Sequence, residues 1–102
     1  MRRRLIVLSV TALALVACAE DGTPAARGRQ VYLAQCIACH NSDPAKDGPL
    51  GPALKGSSEE LLEAKLLRGA YPSGYTPKRN TAIMPVQPQV KPHIADLVAY
   101  LK

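Results

Sequence analysis

Residues 36–40 read Cys-Ile-Ala-Cys-His, so two of the chain's three cysteines and one of its two histidines fall within five positions. Thiols at i and i+3 lie on the same side of one helical turn. They can therefore reach two neighbouring vinyl groups on a porphyrin edge, while the adjacent imidazole swings beneath the ring and offers a nitrogen to iron. Cys-x-x-Cys-His is the pattern of covalent c-type haem attachment. Two other chemistries use the same residue types. A redox dithiol needs a strand–helix–strand setting, and no strand signal precedes Cys36. A zinc site could recruit Cys36, Cys39, His40 and His93, although sequence neighbours such as Cys39 and His40 rarely point at one tetrahedral centre.

The elements that must position this pentapeptide are helical. Thr23-Pro24 is a helix start, with Thr as N-cap and Pro at the first position, and the helical spacing runs from Ala25 to about Cys39. Gly28 inside that helix costs about 1 kcal/mol relative to Ala, which predicts a packing reason for it. Residues 41–56 hold three prolines and three glycines and read as loop. Ser57 and Glu60 fit a capping box that opens a second helix through Leu61, Leu62, Leu66 and Leu67, with Gly69 placed to end it. Residues 70–90 carry Pro72, Pro77, Pro85 and Pro88 and cannot form a continuous helix. Ile94, Leu97, Val98 and Leu101 make the stripe of a final amphipathic helix. The expected fold class is all-α: three helices and two long loops, of the length that wraps a ligand.

The amino terminus reads as export machinery. Arg2, Arg3 and Arg4 precede an apolar run from Leu5 to Val16, shorter than the ~20 residues that span a bilayer. Leu15-Val16-Ala17-Cys18 resembles the bacterial lipobox, which implies cleavage before Cys18 and lipidation of that cysteine. The competing readings are an ordinary signal peptide and a short membrane anchor. The division expected is 1–17 signal peptide, 18–23 lipidated start and short tether, and 24–102 one domain.

Cleavage would remove three of the 13 basic residues and none of the 8 acidic ones, turning a formal charge of +5 into +2. The basic character belongs mostly to the signal. With no basic run and no aromatic stacking platform left, nucleic acid is not an expected partner. A domain of this size without Phe or Trp buries too little apolar surface to be secure and needs a staple. A haem hiding about 400 Å² of apolar surface would contribute on the order of 10 kcal/mol, enough to order proline-rich loops.

Beyond the pentapeptide, the chain resembles the small class I cytochromes c over nearly all of the segment after Cys18. Gly28-x-x-x-Tyr32-x-x-x-Cys36 is similar to that family's first helix, and Ile94 to Leu101 to its terminal helix, whose aromatic residue, here Tyr100, crosses the first helix near its glycine. Gly51-Pro52-Ala53-Leu54 matches the loop in which a proline carbonyl accepts the second N–H of the proximal histidine. The resemblance implies one haem c bound through Cys36 and Cys39, with His40 oriented by Pro52 as one axial ligand. Met84-Pro85 resembles the family's distal Met-Pro, which makes Met84 the other. A thioether there favours Fe(II), raises the potential and closes the coordination sphere. His93 is the weaker competitor. Tyr71, Tyr75 and Arg79, in the loop before Met84, are candidates to meet the haem propionates.

The function implied is single-electron transfer by a periplasmic monomer anchored to a membrane at Cys18. The partner expected is a redox protein, itself membrane-associated, and the carrier could be the cytochrome subunit of a larger oxidoreductase. The acidic residues form no acid–base constellation, so no enzymatic chemistry of the polypeptide is expected. The alternative is a haem enzyme or gas or redox sensor whose distal ligand is displaceable.

Overall fold

The computed structural model describes residues 22–102, so the signal segment and Cys18 lie outside the described residues. Helix α1 spans Pro24–Gln35, and the Thr23 hydroxyl caps it by accepting the Ala26 N–H at 3.2 Å. The helix was expected to reach Cys39, yet it stops at Gln35 and Cys36 to Cys39 form turns. After Gln35 the chain tightens: the Cys39 N–H turns to the Cys36 carbonyl at 3.3 Å, three residues back, in place of the α-helical partner four residues back. The Cys39 carbonyl in turn accepts the N–H groups of Leu50 and Gly51, at 3.1 and 2.9 Å. One further turn survives, closed by the His40 N–H on the Cys36 carbonyl at 2.9 Å.

Helix α2 spans Glu59–Arg68. Its cap falls one residue later than the expected Ser57. The Ser58 hydroxyl accepts the Leu61 N–H at 3.1 Å, while Ser57 donates to the Leu54 carbonyl at 2.6 Å. The third helical position is then Leu61, so no glutamate returns the bond and the capping box is half made. Glu59 and Glu60 in the first turn and Lys65 and Arg68 in the last complement the helix dipole. Gly69 ends the helix in the left-handed region, φ 63°.

A 3-10 helix from Pro88 to His93 leads into α3, Ile94–Leu101. Among the described residues there is no strand. Tyr32, Leu62, Leu66, Val90, Ile94, Leu97 and Leu101 are buried together. Helices α1 and α3 cross at Gly28, where a Cβ would collide with the Asp96 carbonyl oxygen and lie 2.5 Å from its carbon. The packing reason predicted for this glycine is therefore α3's backbone. Arg27 closes the same crossing with a forked ion pair, its Nε and Nη2 each 3.2 Å from the Asp96 carboxylate, and Tyr100 tilts against Tyr32 with ring centroids 5.5 Å apart.

The Tyr32 hydroxyl donates to the Asn41 carbonyl and so ties α1 to the residue after His40. Burial pushes this phenol up from 10.0 to about 12. A raised folded-state value means that the stabilisation is complete below pH 10 and disappears as the pH climbs toward 12. Tyr32→Phe is expected to cost about 1 kcal/mol at neutral pH, through the lost bond to a carbonyl. It should also flatten the alkaline fall in stability. Denaturant titrations of both proteins from neutral pH to pH 12 measure the difference.

Candidate functional site

The end of α1 and the turn after it present Cys36, Cys39 and His40 on one side, and two loops close around them. The first, residues 41–58, returns across the turn through the bonds of Leu50 and Gly51 to Cys39. Gly51 then lies flat against the His40 ring: a Cβ there would stand 2.6 Å from Nδ1. This contact brings the Pro52 carbonyl 2.8 Å from His40 Nδ1. A carbonyl accepting that N–H fixes the tautomer and the ring plane, leaves Nε2 free for a metal and raises its basicity. His40 is itself buried.

The second loop, residues 69–87, is tied to the first by side chains. Lys78 Nζ donates to the Ala53 carbonyl at 2.8 Å. Arg79 Nη2 lies 3.3 Å from the Asp47 carboxylate, which also accepts the Ala53 N–H at 2.8 Å. That backbone bond, followed by the Arg79 hydrogen bond, holds the Asp47 carboxyl below its ordinary value. Tyr71 and Tyr75 stack nearly parallel, centroids 5.5 Å apart, with Lys65 Nζ 4.3 Å above the Tyr71 ring.

Between these walls lies a cavity of about 540 Å³, within the range of cofactor sites. Cys36, Cys39, His40, Pro52 and Met84 all line it, as do Tyr75 and Arg79. Leu50, Ile83 and Val86 also belong to its walls, although each is exposed in the polypeptide by itself. Exposed apolar side chains around a hollow mark a site for an apolar group. His93 is elsewhere, on a separate depression beside Gln30, Val31 and Val90. The tetrahedral set is not assembled: among the described residues no three His, Cys, Asp or Glu side chains are grouped to hold a metal ion. Nor does the pair suit dithiol exchange, which needs a lowered thiol. Burial pushes the Cys36 thiol up, to about 11.

The family model described as Cytochrome c matches residues 25–102. The chain belongs to the cytochrome c family. It binds haem c covalently through Cys36 and Cys39, and its basic activity is haem-based electron transfer with redox partner proteins. No curated protein and no solved structure matches the chain significantly. The residues fit the group that this cytochrome c carries: two thiols on one turn, a buried imidazole with one nitrogen already bonded, and an apolar hollow. Sequence reasoning passed over Asp47 and the contact that Lys78 makes. Lys78 meets Ala53 across 25 positions of chain, and no local pattern reports a contact that long. For Asp47 a signal existed, since Asp-Gly at 47–48 is a turn dipeptide able to aim a carboxylate at nearby backbone N–H groups.

Proposed function

We propose that this cytochrome c is a membrane-anchored periplasmic single-electron carrier, with His40 and Met84 as axial ligands and Cys18 as the lipidated residue. The observation that carries the reading is that His40 and Met84 lie on the walls of one cavity together with both thiols. When bound, haem c supplies an iron that takes up and releases one electron. The polypeptide's part is to hold that site unchanged between the two states. Pro52 fixes the imidazole, and Met84, half-buried against the core, closes the opposite side to small molecules. In this reading Arg79 and Tyr75 face the propionate edge, with Asp47 sharing the Arg79 charge.

Met84→Ala is expected to abolish the thioether-to-iron charge-transfer band, to turn the ferric protein high-spin and to let the ferrous protein bind CO. The potential should fall by a sizeable part of the ~0.8 V range that axial ligands command. Wild-type protein that already binds CO when reduced, with a spectrum indifferent to Met84→Ala, would favour the sensor or peroxide-handling alternative. For the anchor, Cys18→Ser is expected to move haem-loaded protein wholly from the membrane pellet to the soluble periplasm. A variant that still pellets quantitatively removes Cys18 from the proposal.

A further inference from the structure

Resting on Met84 as an axial ligand, we propose that Asp47 is a positioning residue for it. Together with Lys78, Asp47 clasps one foot of the span that carries Met84, and so sets how readily an outside ligand takes the thioether's place. The span runs from Asn80 to Val86, and among the described residues none of these makes a hydrogen bond. Met84 is half-buried against the core, while Ile83 and Val86 are exposed. Its hydrogen bonds are therefore those of its two feet. At the far foot the Gln87 N–H donates to the Leu66 carbonyl at 2.6 Å, backbone to backbone, on α2. At the near foot the bonds come from side chains: Lys78 Nζ reaches the Ala53 carbonyl and Arg79 Nη2 the Asp47 carboxylate. Asp47 serves both loops, since Oδ1 accepts the Ala53 N–H at 2.8 Å while Oδ2 lies 3.3 Å from Arg79. Ala53 follows Pro52, whose carbonyl holds His40. The near foot is thus fastened to the stretch of chain that orients the opposite ligand. An exposed ion pair adds little to the stability of a whole fold. It counts for more in a segment with no hydrogen bond of its own, because local opening breaks only that segment's contacts. A ligand that binds the opened state alone has its affinity reduced by the fraction open, so each clasp bond is read directly in that affinity.

The test is a titration of ferric holoprotein with imidazole, which replaces a thioether on iron without changing its oxidation state, followed by loss of the thioether-to-iron charge-transfer band. Asp47→Asn keeps an oxygen for the Ala53 N–H and removes the charge that Arg79 meets, leaving Arg79 itself in place. Lys78→Ala removes the other bond of the same foot. Each is expected to raise the apparent imidazole affinity by about threefold, and the two together by about tenfold, the product expected of independent bonds broken in one opening. The two replacements change the net charge in opposite directions, so a rise common to both does not come from charge near the iron. An imidazole affinity that neither variant changes overturns the inference, whatever happens to the denaturant midpoint, and leaves Met84 as the ligand. Wild-type protein without the charge-transfer band overturns the ligation by Met84, and this inference with it.

Discussion

Serine at both Cys36 and Cys39 is expected to give a protein whose pigment passes entirely into acidified organic solvent, where the wild-type polypeptide stays red. Each thioether forms by adding a thiol S–H across a vinyl C=C bond, so a hydroxyl at these positions leaves the porphyrin attached by nothing that acid spares. A single replacement keeps one bond: the colour stays with the chain, and the α band of the pyridine haemochrome shifts toward that of a haem with a free vinyl group. The larger consequence is for the fold. The buried cluster has one aromatic residue, Tyr32, and no Phe or Trp. Apolar contact with haem worth on the order of 10 kcal/mol is as large as the whole stability of an ordinary domain, about 5–15 kcal/mol. The double variant, once it has lost its unattached haem, is therefore expected to be digested by protease at the rate of an unfolded chain. Pigment that resists extraction from it would contradict the thioether attachment, and unchanged protease resistance of the haem-free chain would contradict haem's part in the core.

Gly28→Val is expected to break the α1–α3 crossing. The first atom added meets the backbone of Asp96 and Leu97, the latter's nitrogen only 3.0 Å from the new Cβ. Backbone cannot step aside as a rotamer can, so α3 must move, and with it Leu97, Leu101 and the grip of Arg27 on Asp96. Overpacking of this kind costs about 1–3 kcal/mol and occasionally more, to which a β-branched residue adds its own strain against the helix. In a domain of this size each kcal/mol shifts Tm by about 4–8 °C, so a loss on the order of 10 °C is expected. Gly22→Ala is the matched control, since nothing lies within 4 Å of the position where its Cβ would sit, and its Tm should not change. Thermal melts of the two holoproteins followed by circular dichroism decide the matter. A Gly28→Val protein melting with the wild type would mean that the helices do not touch there.

Much of the architecture was legible because its signals are local. The Thr23-Pro24 start, the Gly69 stop and the stripe on α3 each rest on a few adjacent residues interacting with their own backbone, and all three stand in the structure. The errors lie where a distant segment competes for a backbone group. The turn that follows α1 is held from outside, where Leu50 and Gly51 take the Cys39 carbonyl, and α2 starts at Glu59 because Leu54 takes the Ser57 hydroxyl. The irregular stretch assigned to residues 70–90 ends sooner, at Pro88, where proline's fixed φ starts a 3-10 turn despite a second proline at 92.

The sequence by itself determined the chemistry of attachment. Cysteines three apart and the histidine beside them are a covalent arrangement, and spacing within one turn does not depend on the rest of the chain. It also determined the need for a cofactor, through the absence of Phe and Trp. Only the tertiary structure decided that His40, Pro52 and Met84 meet on one cavity, and that Lys78 and Arg79 bind one loop to the other. Those relations span tens of residues of loop. Loop closure carries an entropy that varies only slowly with length, so spacing in the sequence says little about which loop residues meet, and the packed helices with their backbone bonds make the choice.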